Sequence, residues 1–485
     1  MHGSRPSAAD LDPIAGTTAP LPWIAVAPGA PYFVDDTGAP WTPIGQNDAI
    51  DWPELNGLFR RRDLHAVDRH LAWLAAHGVT CLRLMVEYAQ GRHRYLERPT
   101  GVFVPAMVRL WDDLFAMCER HGLRILLTPV DTFWMWLRWR NHPWNIANGG
   151  PLPHMREALT CRTTREAIKA RLTFMVTRWG GSGALFAWDL WNEIHPAQGG
   201  DRVDCWPEFI ADLSGHVRAL EQRLYGRTHP QTVSLFGPEL DHRPELDMAG
   251  PIFRHPDLDF ATIHIYRHGS IDDPRNTVAP AVAMGKVVRD CLLQITDGRP
   301  FLDTEHGPIH RFKDKKRTLP AAFDDEYFRH TSWAHLASGG AGGGMRWPNR
   351  KPHVLTDGMR AAQHAMAGFL PLIDWSAFVR ANCSEAVTAT GFHRFASASA
   401  DQAVVWLLRR NALASDGRID PHTAPRAAEV TVPGLKACRY RITGWDTAAG
   451  CAVETFEATA TGNELRFTSA PIVGDRAFAI GKLDQ

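Results

Sequence analysis

Two glutamates stand where apolar runs of this chain end. The run 185–191 is followed by Asn192-Glu193, and a later run that begins at Pro300 ends in Glu305. Apolar runs of this length fit buried parallel strands, whose two covered faces need no alternation. If both are strands of one closed barrel, the two carboxyl groups lie at its carboxyl-terminal rim, where such barrels hold their active sites. Two carboxyl groups across one cleft are the groups that glycoside hydrolysis requires.

The segments between these runs predict the barrel that would position the two carboxyl groups. An amphipathic helix over residues 63–77 is closed by Gly78 and leads to an apolar strand, and the helix over residues 105–121 ends in His-Gly in the same way. Repeated helix, glycine and apolar strand units are typical of parallel βα winding. We therefore predict an α/β fold, a (β/α)8 TIM barrel. Its strands cover residues 43–47, 79–87 and 124–131, the run ending at Glu193, residues 232–237 and 260–266, the run ending at Glu305, and residues 343–347.

Two further segments flank the predicted barrel, which we place at residues 41–372. Residues 1–40 form an N-terminal tail and a hairpin over residues 32–41 that plugs the bottom of the barrel. After Asp374 short alternating runs separated by turns predict a small antiparallel β-sandwich over residues 375–485, with a structural role. Within the barrel, residues 132–160 form a long aromatic loop. The helix after it is predicted to start with a capping box of Thr163 and Glu166.

Composition excludes several classes of function. Lys+Arg and Asp+Glu are both 53, so the balanced charge does not suggest a nucleic-acid partner. The eight cysteines form no metal-binding or disulfide pattern, and we expect no cofactor and no metal. No stretch is long and apolar enough for a membrane span, and no signal peptide is visible, so we expect a cytoplasmic protein without a membrane partner. The oligomeric state is left open.

The two glutamate motifs, Trp191-Asn192-Glu193 and Glu305-His306-Gly307, resemble those of the retaining (β/α)8 glycoside hydrolases of the cellulase/mannanase clan, most closely glycoside hydrolase family 5. The resemblance covers about residues 20–370. It implies a carbohydrate substrate, with Glu193 after the fourth strand as acid/base and Glu305 after the seventh strand as nucleophile.

The resemblance also implies roles for five other residues. Arg83 on the second strand would keep the nucleophile ionised, and Asn192 would bind the sugar 2-hydroxyl. His264 and Tyr266, in Ile-His-Ile-Tyr, would face the site together, and Trp347 would form the floor of the sugar subsite. For these residues the alternatives are a buried salt bridge for Arg83, a strand-end cap for Asn192, and core packing for the aromatic residues and the histidine.

A further set of residues lies at strand ends and in the loop after the third strand. Glu87 is a candidate for binding substrate hydroxyls, whereas Asp303 is interpreted as a structural acceptor and would be the first substitute if Glu305 were misassigned. The loop candidates for substrate subsites are Asp131, Trp134, His142 and Asn145.

Two other classes remain open as alternatives. A metal-dependent barrel hydrolase usually shows His-x-His near the first strand, but this chain has Gln46-Asn47-Asp48 there, and His264 with His268 lacks a matching ligand set. The other class is a non-catalytic sugar-binding barrel, which the presence of both glutamates argues against.

The sequence therefore predicts a retaining glycoside hydrolase that cleaves a β-linked glycoside or oligosaccharide by double displacement. The β-linkage is implied by the resemblance alone. The long aromatic insertion and the absence of a visible secretion signal favour an exo-acting enzyme. An endo-β-mannanase or glucanase, or a transglycosylase using the same site, is the alternative within this class.

Overall fold

The structure is a computed structural model that describes residues 20–87, 94–267, 271–308 and 318–483. The predicted N-terminal tail up to residue 19, and His268, lie outside the described residues.

A three-stranded antiparallel sheet opens the described chain. It consists of β1 (Ile24–Val26), β2 (Phe33–Asp35) and β3 (Pro40–Trp41). The predicted hairpin is β2–β3, and its turn contains Gly38 at φ 87°, a conformation that glycine adopts without steric cost. The Phe33 ring meets Phe186 and Phe260 edge to face at 4.9 and 5.5 Å, at the start of two barrel strands, so the hairpin covers the amino-terminal end of the barrel.

Eight parallel strands form a single sheet and confirm the predicted (β/α)8 class. Their bounds are β4 (Gly45–Asp48), β5 (Cys81–Met85), β6 (Arg124–Thr128), β7 (Leu185–Asp189), β8 (Gln231–Thr232), β9 (His264–Ile265), β10 (Glu305–His306) and β11 (Met345–Arg346). The order is β8-β7-β6-β5-β4-β11-β10-β9, and a parallel bridge between Phe236 and His264 joins the two ends. The sheet is therefore closed into a barrel.

Helices surround these strands. They are α1 (Leu64–Ala76), α2 (Pro105–His121), α3 (Thr132–Arg138), α4 (Arg162–Trp179), α5 (Trp206–Tyr225), α6 (Pro238–His242), α7 (Gly250–Phe253), α8 (Val278–Leu292), α9 (Ala321–Ala337) and α10 (Asp357–Phe369). In α1 the predicted face of Leu64, Val67, Leu71 and Leu74 is buried, and Asp63 caps the helix by accepting from the Ala66 amide.

Two local predictions are wrong. The capping box of Thr163 and Glu166 is not formed, because α4 begins two residues earlier than this cap requires, at Arg162, with Cys161 at the N-cap and no side-chain cap. The insertion 132–160 is not only a loop, since it opens with the helix α3 capped by Asp131. The predicted strands are also longer than the observed ones, because the hydrogen bonds between neighbouring strands stop where each strand passes into a loop at the barrel end.

The C-terminal part is the predicted β-sandwich. One sheet has the order β12-β14-β15-β20-β17-β18 and the other the order β13-β16-β19. The strands are β12 (Ala381–Asn382), β13 (Thr388–Ala389), β14 (Phe392–Ala398), β15 (Gln402–Arg409), β16 (Glu429–Pro433), β17 (Arg439–Asp446), β18 (Cys451–Thr459), β19 (Glu464–Thr468) and β20 (Asp475–Lys482). It packs on the barrel through α9 and α10, where Trp445 Nε1 donates to the carbonyl of Ala365 at 3.1 Å.

All eight cysteines are free thiols. Among the helices in the described ranges, none combines the length and apolar character that crossing a bilayer would need.

Candidate active site

The backbone at the end of β7 aims two neighbouring side chains into the barrel mouth. Consecutive residues of an extended strand point to opposite faces. Glu193 departs from this rule with φ 50°, a left-handed conformation that is uncommon for a residue other than glycine. Both Asn192 and Glu193 therefore reach the same group of polar side chains, and the Glu193 amide is held by Ser234 Oγ at 3.2 Å.

One imidazole joins the two predicted catalytic glutamates. His264 Nδ1 lies 2.7 Å from Glu193 Oε1 and 3.7 Å from Glu305 Oε2. The His264 side chain is fully buried, whereas the side chains of Glu193 and Glu305 retain 16% and 9% of their exposure. The two carboxyl groups thus converge at a mouth that a substrate can reach.

Arg83 lies below the two carboxyl groups and bonds to residues on or just after three strands, β4, β7 and β10. Its Nη1 donates to Glu305 Oε2 at 3.1 Å and to Asn47 Oδ1 at 2.8 Å. Its Nη2 donates to Asp189 Oδ2 at 2.7 Å and to Asn192 Oδ1 at 2.5 Å. Because Arg83 is fully buried, these contacts hold its guanidinium in one orientation and place its charge beside Glu305.

Glu305 is oriented from its other side as well. The Tyr266 hydroxyl donates to Glu305 Oε1 at 2.6 Å, so each carboxylate oxygen has its own donor. Asp303 Oδ1 accepts from the Glu305 amide at 3.1 Å, and its other oxygen lies 2.7 Å from His306 Nδ1. Asp303 is fully buried and holds the backbone of this strand end, which matches the structural role predicted for it.

Burial is the largest influence on the pKa values of Glu193, Glu305 and His264. Burial raises the pKa of Glu193 to about 7, with the charges of Asp189 and Glu239 adding to the rise and Arg83 opposing it. Burial also raises the pKa of Glu305, against the lowering effect of Arg83 and the Tyr266 hydrogen bond. Burial lowers the pKa of His264 to about 4, so its imidazole is neutral at neutral pH.

Asn192 and Asp131 form a fixed pair at the rim. Asn192 Nδ2 donates to Asp131 Oδ1 at 2.5 Å, while Asn192 Oδ1 accepts from Arg83. Asp131 also accepts from the amides of Phe133 and Trp134 as the N-cap of α3. Burial raises the pKa of Asp131 to about 7. Asp131 therefore positions Asn192 and α3 and does not itself face the mouth.

The predicted sugar platform belongs to an aromatic cluster at the mouth. Trp347 is half-buried and packs with Trp134 and Trp52 in one apolar group. The Trp52 and Trp347 rings meet edge to face at 5.0 Å. The insertion after β6 thus contributes Trp134 to a wall beside Trp347.

Three other predicted subsite residues, Glu87, His142 and Asn145, bond to groups of the insertion or of α4. Glu87 is buried between Arg171 and His142, with Arg171 Nη2 at 2.8 Å and His142 Nε2 at 3.2 Å. Although burial alone would raise it, these two partners lower the pKa of Glu87 to about 2, so it is an ionised anchor. Asn145 caps a short 3-10 turn and donates to the carbonyl of Trp139. The structure brings none of Glu87, His142 and Asn145 into contact with the two glutamates.

Several residues of the site were missed in the sequence. Asn47, Asp189 and Ser234 hold Arg83 and the end of β7, and Asp189 was detectable as a charge inside an apolar run. A second pair lies beside the acid/base candidate: Glu239 Oε2 is 3.5 Å from His195 Nε2. Ser234 gives no signal in the sequence, since a serine in a strand is usually unremarkable.

Glu193, His264 and Glu305 also offer three potential metal-ligand atoms within 4.8 Å of one another. Their present contacts favour another use. His264 is hydrogen-bonded to Glu193, and the two oxygens of Glu305 already accept from Arg83 and Tyr266. The donor set is better suited to a carboxyl pair that works without a metal.

Comparison with known proteins agrees with this geometry. No protein-family model matches the chain. Mannan endo-1,4-beta-mannosidase 7 of Arabidopsis thaliana is 22% identical over 262 residues, which is 49% of this chain and 55% of the relative. Mannan endo-1,4-beta-mannosidase 4 of Oryza sativa subsp. japonica is 25% identical over 285 residues, which is 51% of this chain and 58% of the relative. The chain thus spans somewhat more than half the length of these curated relatives.

A solved structure matches nearly the whole chain. A glycoside hydrolase family 5 protein from Bacteroides vulgatus ATCC 8482 superposes with a TM-score of 0.60 at 11% identity, covering 95% of both chains. This likeness is one of fold and includes barrel and sandwich. Together with the curated relatives it confirms the similarity to the cellulase/mannanase clan of glycoside hydrolases that the two glutamate motifs indicated.

Proposed function

We propose that this protein is a retaining glycoside hydrolase that cleaves β-linked mannosides by double displacement, releasing sugar from a chain end. The observation that carries the proposal is the convergence of Glu193 and Glu305 on His264, with carboxylate oxygens no more than 4.8 Å apart. Retaining enzymes hold their two carboxyl groups about 5–5.5 Å apart, and inverting enzymes hold them about 6.5–9.5 Å apart to leave room for a water molecule. The short separation of Glu193 and Glu305 therefore favours direct attack of a carboxylate on the sugar.

The two glutamates take different roles because their surroundings differ. Arg83 and Tyr266 each donate to one oxygen of Glu305, which favours its ionised form and directs a lone pair at the anomeric carbon. Glu193 has no such cation in hydrogen-bond contact among the described residues, and with a pKa raised to about 7 a substantial fraction of it is protonated at neutral pH. Glu305 is therefore the nucleophile and Glu193 the acid/base.

The reaction proceeds in two balanced steps. Glu305 forms a bond to the anomeric carbon as the glycosidic bond breaks, and Glu193 gives its proton to the departing oxygen. Glu193, now a carboxylate, then takes a proton from water, whose oxygen displaces Glu305 and releases the sugar with its original configuration. A sugar hydroxyl in place of water would give transglycosylation. Asn192, held by Arg83 and Asp131, presents its remaining amide hydrogen to the 2-hydroxyl.

The choice of mannose follows from the curated relatives, whose names describe mannan endo-1,4-beta-mannosidases. Exo action is supported by the insertion: Phe133 and Trp134 of α3 pack in the same cluster as Trp347, where they would close one end of the cleft. The second candidate is an endo-β-mannanase, which the same relatives favour.

The experiment compares wild type with Glu305→Ala on aryl β- and α-glycosides of mannose, glucose and galactose, and on β-1,4-mannooligosaccharides. We expect release of mannose alone from oligosaccharide ends, absent in the variant, with β-mannose as the first product by NMR. Mixed oligosaccharide products would support the endo-mannanase instead. An α-anomer as first product would refute the retaining mechanism, and binding without turnover would indicate a sugar-binding barrel.

A further inference from the structure

Three polar side chains from separate elements meet outside the barrel, on the helix side of β4. Asp48 ends β4, and because its neighbour Asn47 points inward to Arg83, Asp48 points outward. Glu54 follows in the loop after β4, and His70 lies in the middle of α1. One potential ligand atom from each of the three lies within 4.8 Å of the other two.

Asp48 and His70 each have one buried polar atom without a hydrogen-bond partner in the described ranges. Asp48 is 3% exposed, and while its Oδ1 accepts from the Ala49 amide at 2.7 Å, its Oδ2 has no hydrogen-bond partner among the described residues. His70 Nε2 is also buried and makes no hydrogen bond in the described part of the chain, with Glu54 Oε2 at 3.5 Å. A buried carboxylate oxygen that is neither solvated nor paired is unfavourable, so this arrangement calls for an electropositive partner.

Arg360 is the nearby cation, and it pairs with Glu54 and two glutamine side chains. Its Nη1 donates to Gln46 Oε1 at 3.0 Å and Gln363 Oε1 at 3.1 Å, and its Nη2 lies 3.3 Å from both oxygens of Glu54. These last distances exceed the roughly 2.7–2.9 Å of a strong charge-assisted bond. No cationic side chain of the described residues forms a salt bridge with Asp48.

We propose that Asp48, Glu54 and His70 bind one divalent transition-metal ion, with zinc as the fitting case. Imidazole nitrogen and carboxylate oxygen are both ligand types that zinc accepts, and a water would complete the four-coordinate shell. Imidazole argues against magnesium and calcium, which prefer oxygen ligands alone. At zinc–ligand distances of about 2.0–2.2 Å, tetrahedral ligand atoms lie about 3.3–3.6 Å apart. The three atoms now lie within 4.8 Å of one another, so binding requires them to approach by up to about 1.5 Å.

The ion would have a structural role that is independent of the proposed glycosidase activity. It would tie the loop after β4 to α1. This loop carries Trp52, whose ring supports Trp347, and it starts next to Asn47, which holds Arg83. The ion would thereby fix the positions of Trp52 and Asn47 from outside the barrel.

The test uses the full chain, stripped with EDTA and desalted, and ZnCl2 alone. We expect one equivalent of zinc by calorimetric titration and by elemental analysis after desalting, with a raised Tm. Asp48→Asn and His70→Ala should lose both effects. His65→Ala, which removes an exposed histidine of the same helix, and Glu193→Gln, which disrupts the other three-ligand group, should keep them.

Failure to retain zinc in the wild type would overturn the proposal, as would zinc retained by both Asp48→Asn and His70→Ala. Loss of zinc in Glu193→Gln would move the ion to the barrel mouth and also overturn it, as would a Tm shift with CaCl2 or MgCl2 but not with ZnCl2. If Asp48→Asn does not fold, His70→Ala decides the matter, since its side chain is 17% exposed and is less costly to remove.

Discussion

Tyr266 donates its hydroxyl hydrogen to Glu305 across 2.6 Å, with both side chains buried at the barrel mouth. The phenol is uncharged and donates to a different oxygen of Glu305 than Arg83 does, so it orients the carboxylate while Arg83 supplies the neighbouring positive charge. We expect Tyr266→Phe to lower kcat/KM about 10- to 100-fold, since a hydrogen bond to a charged group contributes about 1.5–3 kcal/mol. Steady-state kinetics on an aryl β-mannoside measure this loss.

The matched control is Tyr225→Phe, because the Tyr225 hydroxyl bonds to the carbonyl of Val176 in the outer helices, away from the mouth. It should leave kcat/KM unchanged. Equal kinetics for wild type and Tyr266→Phe would mean that Tyr266 does not orient the nucleophile.

Removal of each glutamate should give a different kinetic result. Glu305→Ala abolishes hydrolysis of every substrate, because no bond to the anomeric carbon can form. Glu193→Ala slows substrates with poor leaving groups far more than activated aryl glycosides, since only the former need a proton on the departing oxygen. Azide should rescue Glu193→Ala by replacing the water that needs a base. Equal loss on both kinds of substrate, with no rescue by azide, would contradict the acid/base assignment.

The barrel was predictable because its signals are local. Apolar runs bracketed by amphipathic helices and glycines mark each βα unit, and β5, β6 and β7 are buried at every position, as their mainly apolar sequences indicate. The helix α3 escaped prediction because seven residues rich in aromatic side chains are too short to show a helical period.

The site was predictable only in part, for a related reason. The ends of β7 and β10 could be recognised from their own residues, but the partners of Arg83 come from β4, from β7 and from Ser234 after β8. Their meeting depends on strand register, such as the pairing of Asn47 with Arg83, which no single segment encodes. Asp189 was the exception, since a charge in a buried strand requires a partner.

The pH dependence of activity should report the ionisation of Glu193. This group must be protonated to act as the acid, and with its pKa at about 7 the rate should fall as pH rises through about 7. The charged or titratable groups around it are Arg83, Asp131, Asp189, Glu239, His264, Tyr266 and Glu305. The limb at low pH should follow Glu305, whose pKa is above its ordinary value because of burial.

Glu239 offers a way to move the alkaline limb without changing the glutamate itself. Its negative charge favours the neutral form of Glu193, so Glu239→Gln should lower the pKa of Glu193 and shift the alkaline limb of kcat/KM to lower pH. Glu245→Gln removes a nearby exposed charge paired with Arg243 and should leave the profile unchanged. An alkaline limb that stays in place in Glu239→Gln would show that this charge does not act on Glu193.

The barrel and the sandwich share a buried ion pair that should contribute to stability. Asp475 of β20 pairs with Arg329 of α9 and accepts from Trp406 Nε1 at 2.9 Å. Although burial alone would raise it, the charge of Arg329 and the contacts with His330 and Thr447 hold the pKa of Asp475 well below its ordinary value. Its stabilisation is therefore complete above the unfolded pKa of about 4 and is lost as pH falls below it. Asp475→Asn should lower the free energy of unfolding by about 3–5 kcal/mol at pH 7, because it leaves Arg329 without its buried partner.

Denaturant unfolding at a series of pH values measures this effect, and the difference from wild type should shrink as pH falls below about 4. Glu457→Gln is the control in the same domain. It breaks an exposed pair with Arg439, and surface pairs contribute only about 0–1 kcal/mol.

Arg329 lies on the barrel and Asp475 on the sandwich, so the two parts should unfold in one transition in the wild type, whereas Asp475→Asn should allow the sandwich to unfold at a lower denaturant concentration. Equal destabilisation by Asp475→Asn and Glu457→Gln would mean that the buried pair does not couple the two parts.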